Sequence, residues 1–197
     1  KQSKQGKDQK GKKQYGFRFF VHKILLPLMD ISNSIVTEKA DAEVRADIFN
    51  RVNTSSNKLS PSETRKGVYQ GEFYNFILDC AKDETFRKVC PISAGKADRG
   101  EYEELVLRFF AFSESYQEFK HDVAPFLDDF VKKHKKNFDA ERLKANFDKV
   151  MSFAEEHLPP PYFARTGRES STPRVRFEAL SVGIFLALEQ NPQLDPQ

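Results

Sequence analysis

Arg51, Asn53 and Glu63 are the residues whose types and spacing come closest to a chemical site in this chain. They flank a corner between Ile48-Phe49-Asn50-Arg51-Val52-Asn53-Thr54 and Leu59-Ser60-Pro61-Ser62-Glu63-Thr64-Arg65. A guanidinium offers a planar fork of donors that suits a phosphate or a nucleotide. The same residues also admit a structural reading. Asn53 then caps a helix in the left-handed conformation it tolerates, and Arg51 pairs with Glu63. Both readings stand at this stage. A second group is Arg165, Arg168, Arg174 and Arg176, set around Ser170-Ser171-Thr172 where the last apolar segment begins. A helix N-terminus with nearby guanidinium groups suits an anion or the backbone of DNA, and an exposed basic loop is the plainer alternative. The local acids there are Glu169 and Glu178.

Other polar residues point to structure. Arg108 lies within Leu105-Val106-Leu107-Arg108-Phe109-Phe110, so its guanidinium must find a buried partner. Glu104, one turn earlier, is the nearest, which predicts an ion pair. The pairs Asp128-Asp129 and Glu155-Glu156 are adjacent, diverge on a helix and read as surface charge. His22, His121, His134 and His157 are scattered, and His134 sits in the basic run Lys132–Lys136. Cys80 and Cys90 lack zinc spacing and read as reduced thiols of a cytoplasmic protein. We therefore assign no catalytic residue and no metal ligand.

These side chains need helices to position them. Phe17–Ile31 is apolar without a helical stripe and contains Pro27, which predicts extended segments over 17–37. The three- and four-residue apolar spacing downstream predicts helices over Glu38–Val52, Pro61 to about Gln70, Glu72–Val89, Tyr102–Phe119, Val123–Lys136, Ala140–Leu158 and Pro173–Gln190. Ser60, Pro61 and Glu63 form a capping-box pattern at the start of the second. Pro91–Arg99 and Leu158–Thr172 read as loops. The last helix is apolar nearly all round from Ala179 to Leu188, which predicts a central position. The expected fold is mainly α: a helical bundle of about six or seven helices over 38–190, with a tail at 191–197.

Composition agrees. The chain of 197 residues holds 19 Phe and no Trp, and Phe fills a core without a polar atom to satisfy. The net charge of +3 is unevenly placed. Residues 1–13 carry six Lys and one Asp, whereas the remainder carries 26 basic and 28 acidic side chains. The folded part is therefore near neutral, without a global nucleic-acid footprint. Residues 1–16 read as a disordered basic tail or linker. The longest apolar run, Ala179–Leu188, is too short to span a bilayer, so no membrane partner is expected.

Phe49-x-Arg51-Val52-Asn53, followed by Leu59 and Glu63, resembles the GmrSD-type family of modification-dependent restriction proteins, whose N-terminal lobe has a ParB/sulfiredoxin-like fold. Glu104-Leu105-Val106-Leu107-Arg108-Phe109, Phe163-Ala164-Arg165 and Phe177-Glu178-Ala179-Leu180 agree in order, and the resemblance covers about residues 17–190. Members usually carry an Asp-Gly-Gln-Gln-Arg signature linked to nucleotide hydrolysis, and no such pentapeptide occurs here. Ser55-Ser56 also replaces the family's loop glycine. The resemblance thus implies the later, helical portion of an anti-phage restriction protein. It would support nucleotide or modified-DNA sensing without a complete active site. A nucleoside triphosphate would belong to the complete protein, and a partner chain or N-terminal lobe would carry the signature. Two alternatives differ in class: an interaction module whose Phe17–Ile31 strand completes a partner's sheet, and a helical DNA-binding module.

Overall fold

The structure, a computed structural model, describes residues 60–166 and 171–194. The extended segments expected over 17–37 and the helix Glu38–Val52 lie outside those residues. Within them the fold is mainly α: eight α-helices, one 3-10 turn and no strand.

The first helix, α1 (Pro61–Val68), starts where the capping box predicts. Ser60 Oγ accepts from the Glu63 amide at 3.3 Å, and the Ser60 amide donates to Glu63 Oε2 at 2.8 Å. Gly71, at φ 139°, takes a turn that a residue with a Cβ adopts only under strain, and α2 (Glu72–Cys80) follows. The single helix expected over Glu72–Val89 is in fact two, α2 and α3 (Glu84–Val89). Asp83 causes the break, because its carboxylate accepts from the Phe86 amide at 2.9 Å and caps a new helix. The stretch Pro91–Arg99, expected as a plain connector, contains the one-turn α4 (Ala94–Ala97).

Next comes α5 (Glu101–Ser115), after Gly100 in the left-handed region at φ 76°. The 3-10 turn Tyr116–Glu118 follows it. Then come α6 (Val123–His134), capped by Asp122, and α7 (Ala140–His157), capped by Asp139. The last is α8 (Arg174–Gln190).

The central helix is α5, not α8. Leu105, Val106, Leu107, Phe109, Phe110 and Ala111 are all buried, so every side of α5 is covered. It packs against α1, α2, α4, α6 and α8. In contrast, α8 packs on α5 and α7 and buries one stripe: Phe177, Ser181, Phe185 and Leu188. Val175 stays 76% exposed and Ala179 is exposed. The exposed side of the apolar run falls on its small residues, Ala179 and Gly183, so the run need not be buried on all sides.

Phe rings fill the core. Phe86 meets Tyr102, Phe147 and Phe177 edge-on, at centroid distances of 5.6, 5.4 and 5.8 Å. Phe109 contacts Phe110, Phe147 and Phe185. Each such pair is worth about 0.5–1.5 kcal/mol beyond its buried area.

Candidate functional site

The helix α1 has little apolar surface to bury; Val68 is its only buried hydrophobic residue. Polar groups attach it instead. Arg65, 2% exposed, donates from Nε to Asp128 Oδ1 of α6 at 2.8 Å and from Nη1 to Glu104 Oε2 of α5 at 2.6 Å. Glu104, 3% exposed, accepts at its other oxygen from Arg108 Nε at 2.9 Å. Arg108 Nη1 then donates to Glu178 Oε1 on α8. The result is one alternating chain, Asp128–Arg65–Glu104–Arg108–Glu178, drawn from four helices.

Its local origin is simple. Positions 104 and 108 lie one turn apart on the same side of α5, so a single carboxylate can face both guanidinium groups. The expected Glu104–Arg108 pair is present, as part of something larger. Asp128, read as surface charge from its sequence neighbour, is a partner of a buried arginine; Asp129 is the one turned outward, to Lys132 at 3.2 Å. Tyr74 lies alongside, 6% exposed. Burial pushes its phenol well above the usual range, and Arg65 opposes that shift only in part. Both Glu104 oxygens are occupied, and each arginine bonds two carboxylates. The chemistry of the chain is fixation.

The sequence-predicted residues divide. Glu63 is 9% exposed and belongs to the capping box, with Ser60 Oγ donating to its Oε2 at 2.9 Å. Arg51 and Asn53 lie outside the described residues. Arg174 is held by Glu101 of α5 in a two-pronged pair, Nε to Oε1 at 2.7 Å and Nη2 to Oε2 at 2.6 Å. Glu101 thereby raises the guanidinium pKa, keeping it firmly charged. The sequence view that Glu169 and Glu178 are the acids available there is corrected: Glu101 reaches Arg174 from another helix, and Glu178 is bonded to Arg108. Arg176 is exposed and donates to the Tyr162 carbonyl at 3.3 Å. Arg165 is exposed, and Arg168 lies outside the described residues. Lys96 of α4, which the sequence reading passed over, comes to 3.4 Å from Ser171 Oγ beside this group.

Cys80 and Cys90 are free and buried, and burial pushes each thiol up to about 12. The His134 ring stacks on Phe73 at 5.3 Å and lies 4.1 Å from Phe130, a more sheltered place than its basic run suggested. No group of three His, Cys, Asp or Glu among the described residues is arranged to hold a metal. A cleft of about 370 Å³ lies beside α6, with Phe126 and Phe130 in its lining and Glu118, Lys120, His121 and Lys133 among its polar groups. Lys133 pairs with Glu118 at 3.5 Å, so opposite charges in the lining meet each other. No described helix is long and apolar enough to cross a membrane. No family model, curated protein or solved structure matches the chain.

Proposed function

We propose that the chain is the helical portion of a GmrSD-like anti-phage restriction protein, supporting nucleotide or modified-DNA sensing without a complete active site of its own. One observation carries this reading. The later stretches that bear the resemblance converge in space. Glu104 and Arg108 come from the second stretch and Glu178 from the last, and they pair in the buried charge chain; Arg65, two residues beyond Glu63 and outside the first motif, joins them. Phe163 and Phe177, from the two late stretches, pack edge-on at 5.1 Å. Residues that a family pattern keeps in order gain a shared physical reason when they hold one another in place.

The test uses the full chain with a polypeptide bearing Asp-Gly-Gln-Gln-Arg. Alone, the chain turns over no nucleoside triphosphate. With the signature-bearing polypeptide it forms a complex that binds nucleotide, measured by calorimetry, and Arg51→Ala weakens that binding. Turnover by the chain alone, or no complex, overturns the reading.

A second reading is DNA contact through the start of α8, favoured by the exposed Arg165 and Arg176 and by Lys96, which reaches Ser171 Oγ at 3.4 Å. It requires salt-sensitive DNA binding that survives removal of residues 1–13 and falls with Arg176→Ala. Arg174→Ala is the wrong probe, because Glu101 already neutralises that guanidinium.

A further inference from the structure

We propose that the Asp128–Arg65–Glu104–Arg108–Glu178 chain is a conformational coupler, through which a change of charge at one end shifts the anchorage of the helix at the other. This goes beyond the family reading and stands without it.

The geometry rests on one carboxylate. Glu104 gives Oε2 to Arg65 at 2.6 Å and Oε1 to Arg108 at 2.9 Å. The two oxygens belong to one planar group, so a rotation that follows either arginine withdraws from the other. The centre is dry: the Arg65 and Glu104 side chains are 1% and 3% exposed. Dry surroundings make each pair strong, and neighbouring pairs polarise one another. The ends are wetter, with Asp128 at 37% and Glu178 at 20% side-chain exposure. Whatever engages an end from solvent therefore acts on a centre that water does not relax.

The chain's membership matters as well. Asp128 sits on α6, Arg65 on α1, Glu104 and Arg108 on the central α5, and Glu178 on α8. Arg65 is the principal tie of a helix with one buried apolar residue, so α1 depends on the state of Glu104 more than the larger helices do. Removing the Glu178 charge leaves Arg108 with Glu104 as its sole carboxylate partner, which draws Glu104 away from Arg65. Neutralising Asp128 acts in the opposite direction, pulling Glu104 toward Arg65 and away from Arg108. Arg108 then depends on Glu178 alone, and the start of α8 is held more tightly.

Amide hydrogen exchange on the full chain tests this with Glu178→Gln, Asp128→Asn and the double variant. These end groups are partly solvated, so each variant folds more readily than one altered at Glu104. Glu178→Gln should speed exchange over Thr64–Val68 by roughly two- to thirtyfold, although that change lies on α8. Asp128→Asn should instead slow exchange over Phe177–Ser181, by a factor in the same range. In the double variant the two effects should not multiply as independent changes do. Arg142→Ala, whose partner Glu114 is outside the chain, should leave both regions unchanged. Exchange that changes only in the mutated end's own helix overturns the proposal. So do effects that multiply independently, or a rise shared equally by the core amides of α7.

Discussion

Ser181 is fully buried on α8, and its hydroxyl has no hydrogen-bond partner among the described residues. A buried hydroxyl without a partner costs desolvation that nothing returns, so Ser181→Ala should stabilise the fold by about 1 kcal/mol. Urea unfolding checks this: the midpoint should rise with the slope unchanged. The cysteines give a pH prediction. Burial lifts both thiols from their ordinary 9.0 to about 12. In the unfolded chain they ionise from about pH 9, whereas the folded chain keeps them neutral. Their contribution is thus fully present below pH 9 and is lost as pH rises toward 12. Tyr74, also raised by burial, adds in the same sense. Thermal melts should fall across that alkaline window, and thiolate absorbance should lag well behind that of a denatured control. Alkylating reagents should react slowly with the native protein at neutral pH. Burial of the cysteines could be anticipated from their apolar neighbours; the orphaned Ser181 could not, because a lost partner is a property of packing.

At the scale of elements, the local signals that closed on themselves were the legible ones. The capping box at Ser60 places the start of α1 correctly. Ser60→Ala should cost about 1 kcal/mol in urea unfolding, because it leaves the Glu63 amide without its acceptor. The apolar spacing of α5, α6 and α7 placed each within a few residues, since one helix face fixes that pattern. Asp83 was missed as a breaker because an aspartate reads alike inside and at the start of a helix until its side chain is seen to turn back. The helix α4 buries none of its four residues, so it left no periodic trace. The centrality given to α8 failed for a different reason: hydrophobicity is a property of a segment, whereas position in a bundle depends on which helices surround it. Among the site residues, Glu104–Arg108 is one turn apart and was legible. Arg65–Asp128 is 63 residues apart and Arg174–Glu101 is 73, beyond any local rule.

For the molecule as a whole, the buried charge chain raises a question of sign. Taking ions out of water is costly, and a dry pair recovers that cost only with good geometry and full hydrogen bonding. Glu104 satisfies the geometric condition, with both oxygens engaged. Removing it alone leaves two guanidinium groups underpaired, Arg65 with only the partly exposed Asp128 and Arg108 with only Glu178. Glu104→Leu should therefore destabilise by about 3–5 kcal/mol, a large share of the roughly 5–15 kcal/mol a domain of ordinary stability holds. Replacing the dry centre together, with Arg65→Met, Glu104→Leu and Arg108→Met, removes both guanidinium groups as well and leaves only the wetter Asp128 and Glu178 unpaired, so its cost should be smaller than that of Glu104→Leu alone. Urea unfolding of the two variants decides the matter. If the triple variant is the less stable of the two, the charge pairs are themselves a net source of stability. If it regains most of the loss, the chain adds little to stability that apolar side chains could not supply. Its distinctive contribution is then to make four helices depend on one carboxylate, which a greasy centre of equal volume does not do.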